Sequence, residues 1–128
     1  PILSVWMDFL GCLFIDRSKG KEAIRTLSSA FKEIDTRGSY VLFPEGTRSK
    51  GKKVGEFQKA GIKTALKRGA TVVPVTLDGS YLVMESNNNK FKPATIHVTF
   101  HAPVTKEDGN EDELIEQMKK TIESSIES

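Results

Sequence analysis

Glu45, Gly46, Thr47 and Arg48 place a carboxylate, a bare backbone, a hydroxyl and a guanidinium in consecutive positions, directly after the apolar run Tyr40–Phe43 and Pro44. Arg48 offers a planar fork of donors that matches phosphate or carboxylate. Gly46 lets backbone come close to an anion. Arg17 follows the apolar run Leu13–Ile15 much as Arg48 follows Tyr40–Phe43. If the two runs are neighbouring parallel strands, both guanidiniums emerge at the same end and converge on one phosphate. The alternative for each arginine is a local acid, Asp16 or Glu45. A carboxylate beside a phosphate repels it, so Glu45 is expected to position a hydroxyl or an arginine. Direct general-base work by Glu45 is the weaker reading. The chemistry of this stretch is that of an anion site for phosphate.

Other constellations carry less. Gly46 to Lys53 approaches a nucleotide-binding P-loop, with glycines at the right spacing and Lys52 in place, but Lys53 stands where a magnesium-binding hydroxyl is required. A lysine there repels the metal, so nucleotide hydrolysis is not expected. His97 and His101 share one face of an alternating stretch, and no cysteine or carboxylate cluster completes a metal set, so they read as a solvated strand face. Cys12, the single cysteine, sits in an apolar run and is expected to be a buried structural thiol.

The elements that position these residues follow from periodicity. Residues 1–10 have the spacing of a short apolar-faced helix stopped by Gly11. Ala23, Ile24, Leu27, Ala30, Phe31 and Ile34 recur at three and four, giving a helix over Glu22–Ile34 with one face on a sheet. Tyr40–Phe43 reads as a strand buried on both faces. A basic, glycine-containing loop from Glu45 to Gly55 leads to a helix at about Phe57–Lys67, expected to bury Phe57, Ala60, Gly61, Ala65 and Leu66. Thr71–Leu77 is the next strand, with Pro74 marking an edge, a bulge or a bend. Leu82–Pro93 is a polar surface loop or hairpin connection, Thr95–His101 a half-exposed strand, and Asp112–Ile126 a closing helix with Ile115, Met118, Ile122 and Ile126 on one face. This order predicts an α/β fold, a layered and mostly parallel sheet flanked by helices.

Composition sets the frame. A chain of 128 residues with 38% hydrophobic and 28% charged residues is a globular domain rather than a disordered segment. No apolar run nears the roughly 18 residues of a membrane-spanning helix. The net charge of +2 is unevenly spread: residues 45–68 hold eight basic side chains against two acids, and residues 105–128 hold three lysines against eight acids. The basic segment contains the anion site, which suits a negative substrate or an anionic membrane surface. The alternative is a solvated helix face beside a solvated acidic helix. No basic–aromatic pattern points to nucleic acid.

Phe43-Pro44-Glu45-Gly46-Thr47-Arg48-Ser49 resembles the Phe-Pro-Glu-Gly-Thr-Arg-Ser motif of the 1-acyl-sn-glycerol-3-phosphate acyltransferases of bacterial type, also called lysophosphatidic acid acyltransferases. Gly11-Cys12-Leu13-Phe14-Ile15-Asp16-Arg17 resembles that family's Phe-Ile-Asp-Arg motif, and Val73-Pro74-Val75-Thr76 its last motif, a strand with an internal proline. The resemblance covers roughly the first 80 residues and thins beyond them. The family's catalytic His-x4-Asp signature lies N-terminal to these motifs. Here His97 and His101 are followed at the fifth position by Ala102 and Lys106, so neither fits. The expectation is that residues 1–128 form the C-terminal part of a single acyltransferase domain, with the catalytic His and Asp upstream of Pro1 and no activity in this stretch alone.

The resemblance implies transfer of an acyl group from acyl-CoA or acyl carrier protein to the free hydroxyl of 1-acyl-glycerol-3-phosphate, giving phosphatidic acid. The upstream His would act as general base, oriented by its Asp. Arg17, Glu45, Gly46, Thr47 and Arg48 would bind the acceptor, with no metal or redox cofactor, on the cytoplasmic side of a membrane surface. Two alternatives are a non-catalytic phospholipid- or phosphate-binding module and an acyltransferase for another phosphate-bearing acceptor.

Overall fold

A strand pair and three helices organise the part of the chain that carries the Glu45–Arg48 segment. The computed structural model describes residues 2–12, 20–32 and 38–126. Helix α1 spans Ile2–Phe9, α2 Gly20–Lys32, α3 Lys59–Lys67 and α4 Glu111–Ser124. Strand β1 (Val75–Asp78) pairs antiparallel with β2 (His97–Phe100), Val75 opposite Phe100 and Asp78 opposite His97.

The core lies where α3 meets α4. Phe57, Ile62, Leu66, Leu114, Ile115 and Met118 are buried together, with Val54, Val72, Val104 and Ile122 packed around them. In α3 the buried face is Gly61, Ile62, Ala65 and Leu66. Ala60, expected inside, is exposed and Ile62 takes its place. Ile62 and Leu66 pack with Leu114, Ile115 and Met118 of α4, and this contact decides which positions of α3 face inward. Asn110 caps α4, its side-chain oxygen accepting from the Asp112 N–H at 2.9 Å, and so fixes the entry of the acidic helix. On the other flank of α3, Arg68 donates to the Ser28 hydroxyl of α2 at 2.6 Å.

The mostly parallel layered sheet expected from the sequence is not what the described residues form, since their one ladder is antiparallel. The chain between β1 and β2 turns back on itself through two short 3-10 turns, Ser80–Leu82 and Glu85–Asn87, so β2 returns beside β1 in the opposite sense. Pro74 stands just before β1. It has no N–H to donate, yet its carbonyl still accepts from His101 N–H at 3.0 Å. Beyond it Val72 and Val104 exchange both backbone bonds at 2.8 Å. That pair is one residue out of register with the β1–β2 ladder. Pro74 therefore marks a bulge, with the extra residue on the 100–104 side.

Tyr40–Phe43 is extended but pairs with no strand among the described residues. Its side chains alternate rather than being buried on both faces. Leu42 lies on α3 over Gly61, where an added Cβ would stand 3.0 Å from Leu42 Cδ2. Val41 and Phe43, on the other side, are 83% and 67% exposed. Strand β2 is exposed along its whole length, Phe100 included. Cys12, expected to be buried, is exposed. Among the described residues no helix is long and apolar enough to cross a membrane.

Two helix lysines of the basic segment, Lys59 and Lys63, have protein partners, while Lys67 is exposed. Lys59 pairs with Glu116 at 3.1 Å, Lys63 with Asp112 at 2.7 Å and Lys119 with Glu56 at 2.8 Å, which fastens α4 to α3 and the chain ahead of it. The hydrogen bond from Lys63 holds the Asp112 carboxyl below its ordinary 3.8, and that from Lys119 holds Glu56 below 4.5. A carboxylate depressed by folding contributes stability above its unfolded pKa, and that contribution is lost as pH falls through the folded value. Lys59 is raised above 10.5 chiefly by its hydrogen bond to Glu116, and Lys119 by Glu56, so their contributions are present below that value and fade above it. These groups should add no slope to Tm between about pH 5 and 9 and should lower Tm as the pH drops below about 4. The acid-side loss should shrink in high salt, which screens exposed pairs. Tm against pH at two salt concentrations measures both.

Candidate functional site

The site loop begins with a turn. Gly46 N–H donates to the Phe43 carbonyl at 3.1 Å, closing Phe43-Pro44-Glu45-Gly46 into a β-turn with proline in its second position and glycine in its fourth. Gly46 has φ +66°, a backbone region that glycine occupies without strain. The Pro44 carbonyl then accepts from the N–H of Gln58, the residue that caps α3, at 2.7 Å. Both ends of the loop are thus fastened at the start of α3.

Glu45 closes the loop from inside. Its carboxylate oxygens each lie 2.9 Å from the Ser49 hydroxyl, which donates to them, and Oε2 also accepts the Gly55 N–H at 2.8 Å. A Cβ on Gly55 would stand 2.6 Å from that same oxygen. The glycine at 55 is what lets a carboxylate sit against the backbone here. Among the described residues Glu45 holds no arginine; its carboxylate holds the Ser49 hydroxyl of its own loop.

Arg48 is held from elsewhere. Its Nη1 donates to Glu85 Oε1 at 3.1 Å, across 37 residues of sequence. The Arg48 side chain is 71% exposed and that of Glu85 only 16%. Thr47 is exposed, and its hydroxyl makes no hydrogen bond among the described residues. Lys50, Lys52 and Lys53 are exposed on the same loop. Unlike Lys59 and Lys63, they leave positive charge facing water beside Arg48. Arg17 lies outside the described residues, as do Asp16 and the expected strand Leu13–Ile15.

The histidines separate. His101 Nε2 is 2.8 Å from the Thr76 hydroxyl, and Thr76 is 1% exposed, so His101 satisfies a buried polar group rather than lying on a wholly solvated face. His97 is exposed on β2. Among the described residues no three His, Cys, Asp or Glu side chains gather as a metal set.

Sequence reasoning singled out Arg48 and its glycine-containing loop but missed the β-turn, Glu85 and Gly55. Glu85 lies in a polar stretch with no motif and meets Arg48 only through the fold. Gly55 carried a signal, being a glycine at the end of a glycine-containing loop, but nothing in its neighbours shows which side chain needs the space.

This turn, stapled by its own glutamate and followed by the exposed Arg48, lies in a stretch that matches a known family. The acyltransferase family model matches residues 1–78, and the chain belongs to that family. The 1-acyl-sn-glycerol-3-phosphate acyltransferase of Cocos nucifera is 30% identical over 118 residues, covering 86% of this chain and 38% of that one. The protein of the same name from Borreliella burgdorferi is 35% identical over 77 residues, covering 60% of this chain and 31% of its own. The crystal structure of the 1-acyl-sn-glycerophosphate (LPA) acyltransferase PlsC from Thermotoga maritima superposes with a TM-score of 0.78 at 27% identity, over 97% of this chain and 49% of that one. The fold is therefore of the glycerolipid acyltransferase kind. The chain spans half or less of the length of these relatives.

Proposed function

We propose that the whole protein transfers an acyl group from a thioester, acyl-CoA or acyl carrier protein, to the free hydroxyl of 1-acyl-glycerol-3-phosphate, and that residues 45–48 help to hold the acceptor. The observation that carries this is the exposed Arg48 guanidinium on a loop fixed at both ends, in a chain that matches proteins named for that reaction. In the reaction the acceptor hydroxyl gives its proton to a base. Its oxygen bonds to the thioester carbonyl carbon, the carbon–sulfur bond breaks, and the thiol leaves with a proton. The base is proposed to be a histidine outside residues 1–128, oriented by an aspartate, because neither His97 nor His101 has the required spacing and His101 is engaged with Thr76.

Within this chain Arg48 is assigned to the acceptor phosphate, with Arg17 as its second cation. Gly46 and Thr47 supply backbone and hydroxyl contacts at the turn, and Glu45 keeps the loop in shape. No metal or redox cofactor has a part in the proposal. Lys50, Lys52 and Lys53 favour work at an anionic membrane surface, on its cytoplasmic side. The finer architecture belongs to the same proposal: residues 1–128 are part of one domain whose sheet is layered and mostly parallel. The exposed apolar side chains of Val41 and Phe43 after α2, and of Val98 and Phe100 on β2, support further elements packed over them.

The test is acyl transfer to lysophosphatidic acid by the whole protein, run beside residues 1–128 alone. Turnover by the whole protein and none by residues 1–128 supports the reading, and turnover by residues 1–128 returns the base to His97 or His101. Phospholipid binding without turnover in the whole protein favours a binding module. A narrower check is Gly55→Ala. The added methyl takes the place of Glu45 Oε2 and frees the loop without touching the core. Acceptor kcat/KM should fall about tenfold or more through misplacement of the turn, with Tm nearly unchanged. Wild-type kinetics would show that the Glu45 staple does not matter to the site.

A further inference from the structure

Glu85 sits on a segment that is built rather than loose. Its 3-10 turn is bonded by Asn87 N–H to Met84 carbonyl at 3.0 Å. The segment is closed by Lys92 N–H to Val83 carbonyl at 2.8 Å, and the Asn87 side-chain amide donates to the Leu82 carbonyl. Asn88 and Asn89 take left-handed backbone, φ 52° and 59°, to complete the reversal. The Glu85 side chain is mostly covered while its partner is mostly in water. The better-anchored member of the pair is therefore the acid, and the arginine is the one being held.

The contact is a single hydrogen bond, Nη1 to Oε1. A guanidinium has five N–H donors in a rigid plane, so one bond through one oxygen restrains it and leaves the other donors for a second anion. We infer that Glu85 is the positioning residue for Arg48, restraining the guanidinium so that its unused edge meets the acceptor phosphate. This rests on the assignment of Arg48 to that phosphate. A freely rotating arginine would lose several side-chain torsions on binding, and an arginine already held loses fewer, so the gain is in acceptor affinity.

The test is steady-state kinetics of the whole protein with lysophosphatidic acid and acyl-CoA, on Arg48→Ala, Glu85→Ala, Glu85→Gln and the double variant Arg48→Ala/Glu85→Ala, each with its Tm. Glu85→Ala should raise acceptor KM about three- to tenfold, leaving donor KM and kcat in place. Glu85→Gln keeps an acceptor oxygen of the same reach and should recover part of the loss. The double variant should be no worse than Arg48→Ala alone, because the glutamate acts only through the arginine. Acceptor KM unchanged or lowered in Glu85→Ala, with Arg48→Ala still raising it, overturns the inference, and a lowered value would make Glu85 a competitor of the phosphate. Acceptor and donor KM rising together with a fallen Tm also overturns it, in favour of a structural pair. If Arg48→Ala itself leaves acceptor KM unchanged, the phosphate assignment has failed first.

Discussion

In the whole protein, Arg48→Ala is expected to raise the KM for lysophosphatidic acid about tenfold to a hundredfold, with donor KM unchanged. The magnitude is that of losing one or two charge-assisted hydrogen bonds to phosphate, about 1.5–3 kcal/mol. The substitution also strips Glu85 of its cation, and Glu85 is mostly covered, so a modest loss of Tm should accompany the kinetic effect. Arg48→Lys separates the two consequences. It keeps a charge near Glu85 but offers a point donor in place of a fork, so it should restore most of the Tm and only part of the acceptor affinity. Unchanged acceptor kinetics in Arg48→Ala would remove this residue from the phosphate site. The rise must also be specific to the acceptor, since a change shared by both substrates would report a disturbed loop.

The largest effect on stability is expected from Leu66→Ala. Leu66 is fully buried in α3, in a cluster with Ile62, Leu114, Ile115 and Met118 drawn from two helices that the chain joins only after β1 and β2. Removing its side chain loses transfer free energy and leaves a cavity, about 2–5 kcal/mol, or a Tm lower by roughly 5–20 °C. Leu66→Met, which keeps the volume, should cost less than about 1.5 kcal/mol. Thermal unfolding of the pair checks the prediction, and equal midpoints for Leu66→Ala and wild type would mean that the α3–α4 contact does not hold the domain together. Because Gln58 caps α3 and bonds the Pro44 carbonyl, loosening α3 should also loosen the site turn. Acceptor kcat/KM of Leu66→Ala should then fall well below its Tm, while the protein is still folded.

Much of this was legible in the chain. The glycine-containing loop after Pro44 is a local matter, and the Phe43–Gly46 turn that opens it rests on four adjacent residues, with a ring-fixed φ and a residue tolerant of left-handed backbone. The helix periodicity of residues 57–67 and 112–126 was legible for the same reason, because each face is written at spacings of three and four. What failed depended on partners distant in sequence. Tyr40–Phe43 reads as a doubly buried strand because all four residues suit a strand, yet Leu42 lies over the surface that Gly61 leaves open on α3, Tyr40 meets Phe31 of α2 edge-on, and Val41 and Phe43 stay exposed. Ala60 and Ile62 changed places because the contact with α4, distant in sequence, decides which stripe of α3 faces inward.

The lysines show the same division. Eight basic side chains in residues 45–68 read as one charged surface, but their sequence cannot say which of them meet the acids of residues 105–128. The fold brings α4 against α3, engages Lys59 and Lys63 with Glu116 and Asp112, and leaves the loop lysines facing water. The sequence by itself determined the family motifs and set Gly46, Thr47 and Arg48 consecutively after Pro44, since these depend on residues within a few positions of one another. Only the tertiary structure decided that Glu85 holds Arg48, that Gly55 makes room for Glu45, and that β1 and β2 run antiparallel. Each of these is a contact between groups 10 or more residues apart, where sequence spacing no longer fixes distance and packing of the intervening chain does.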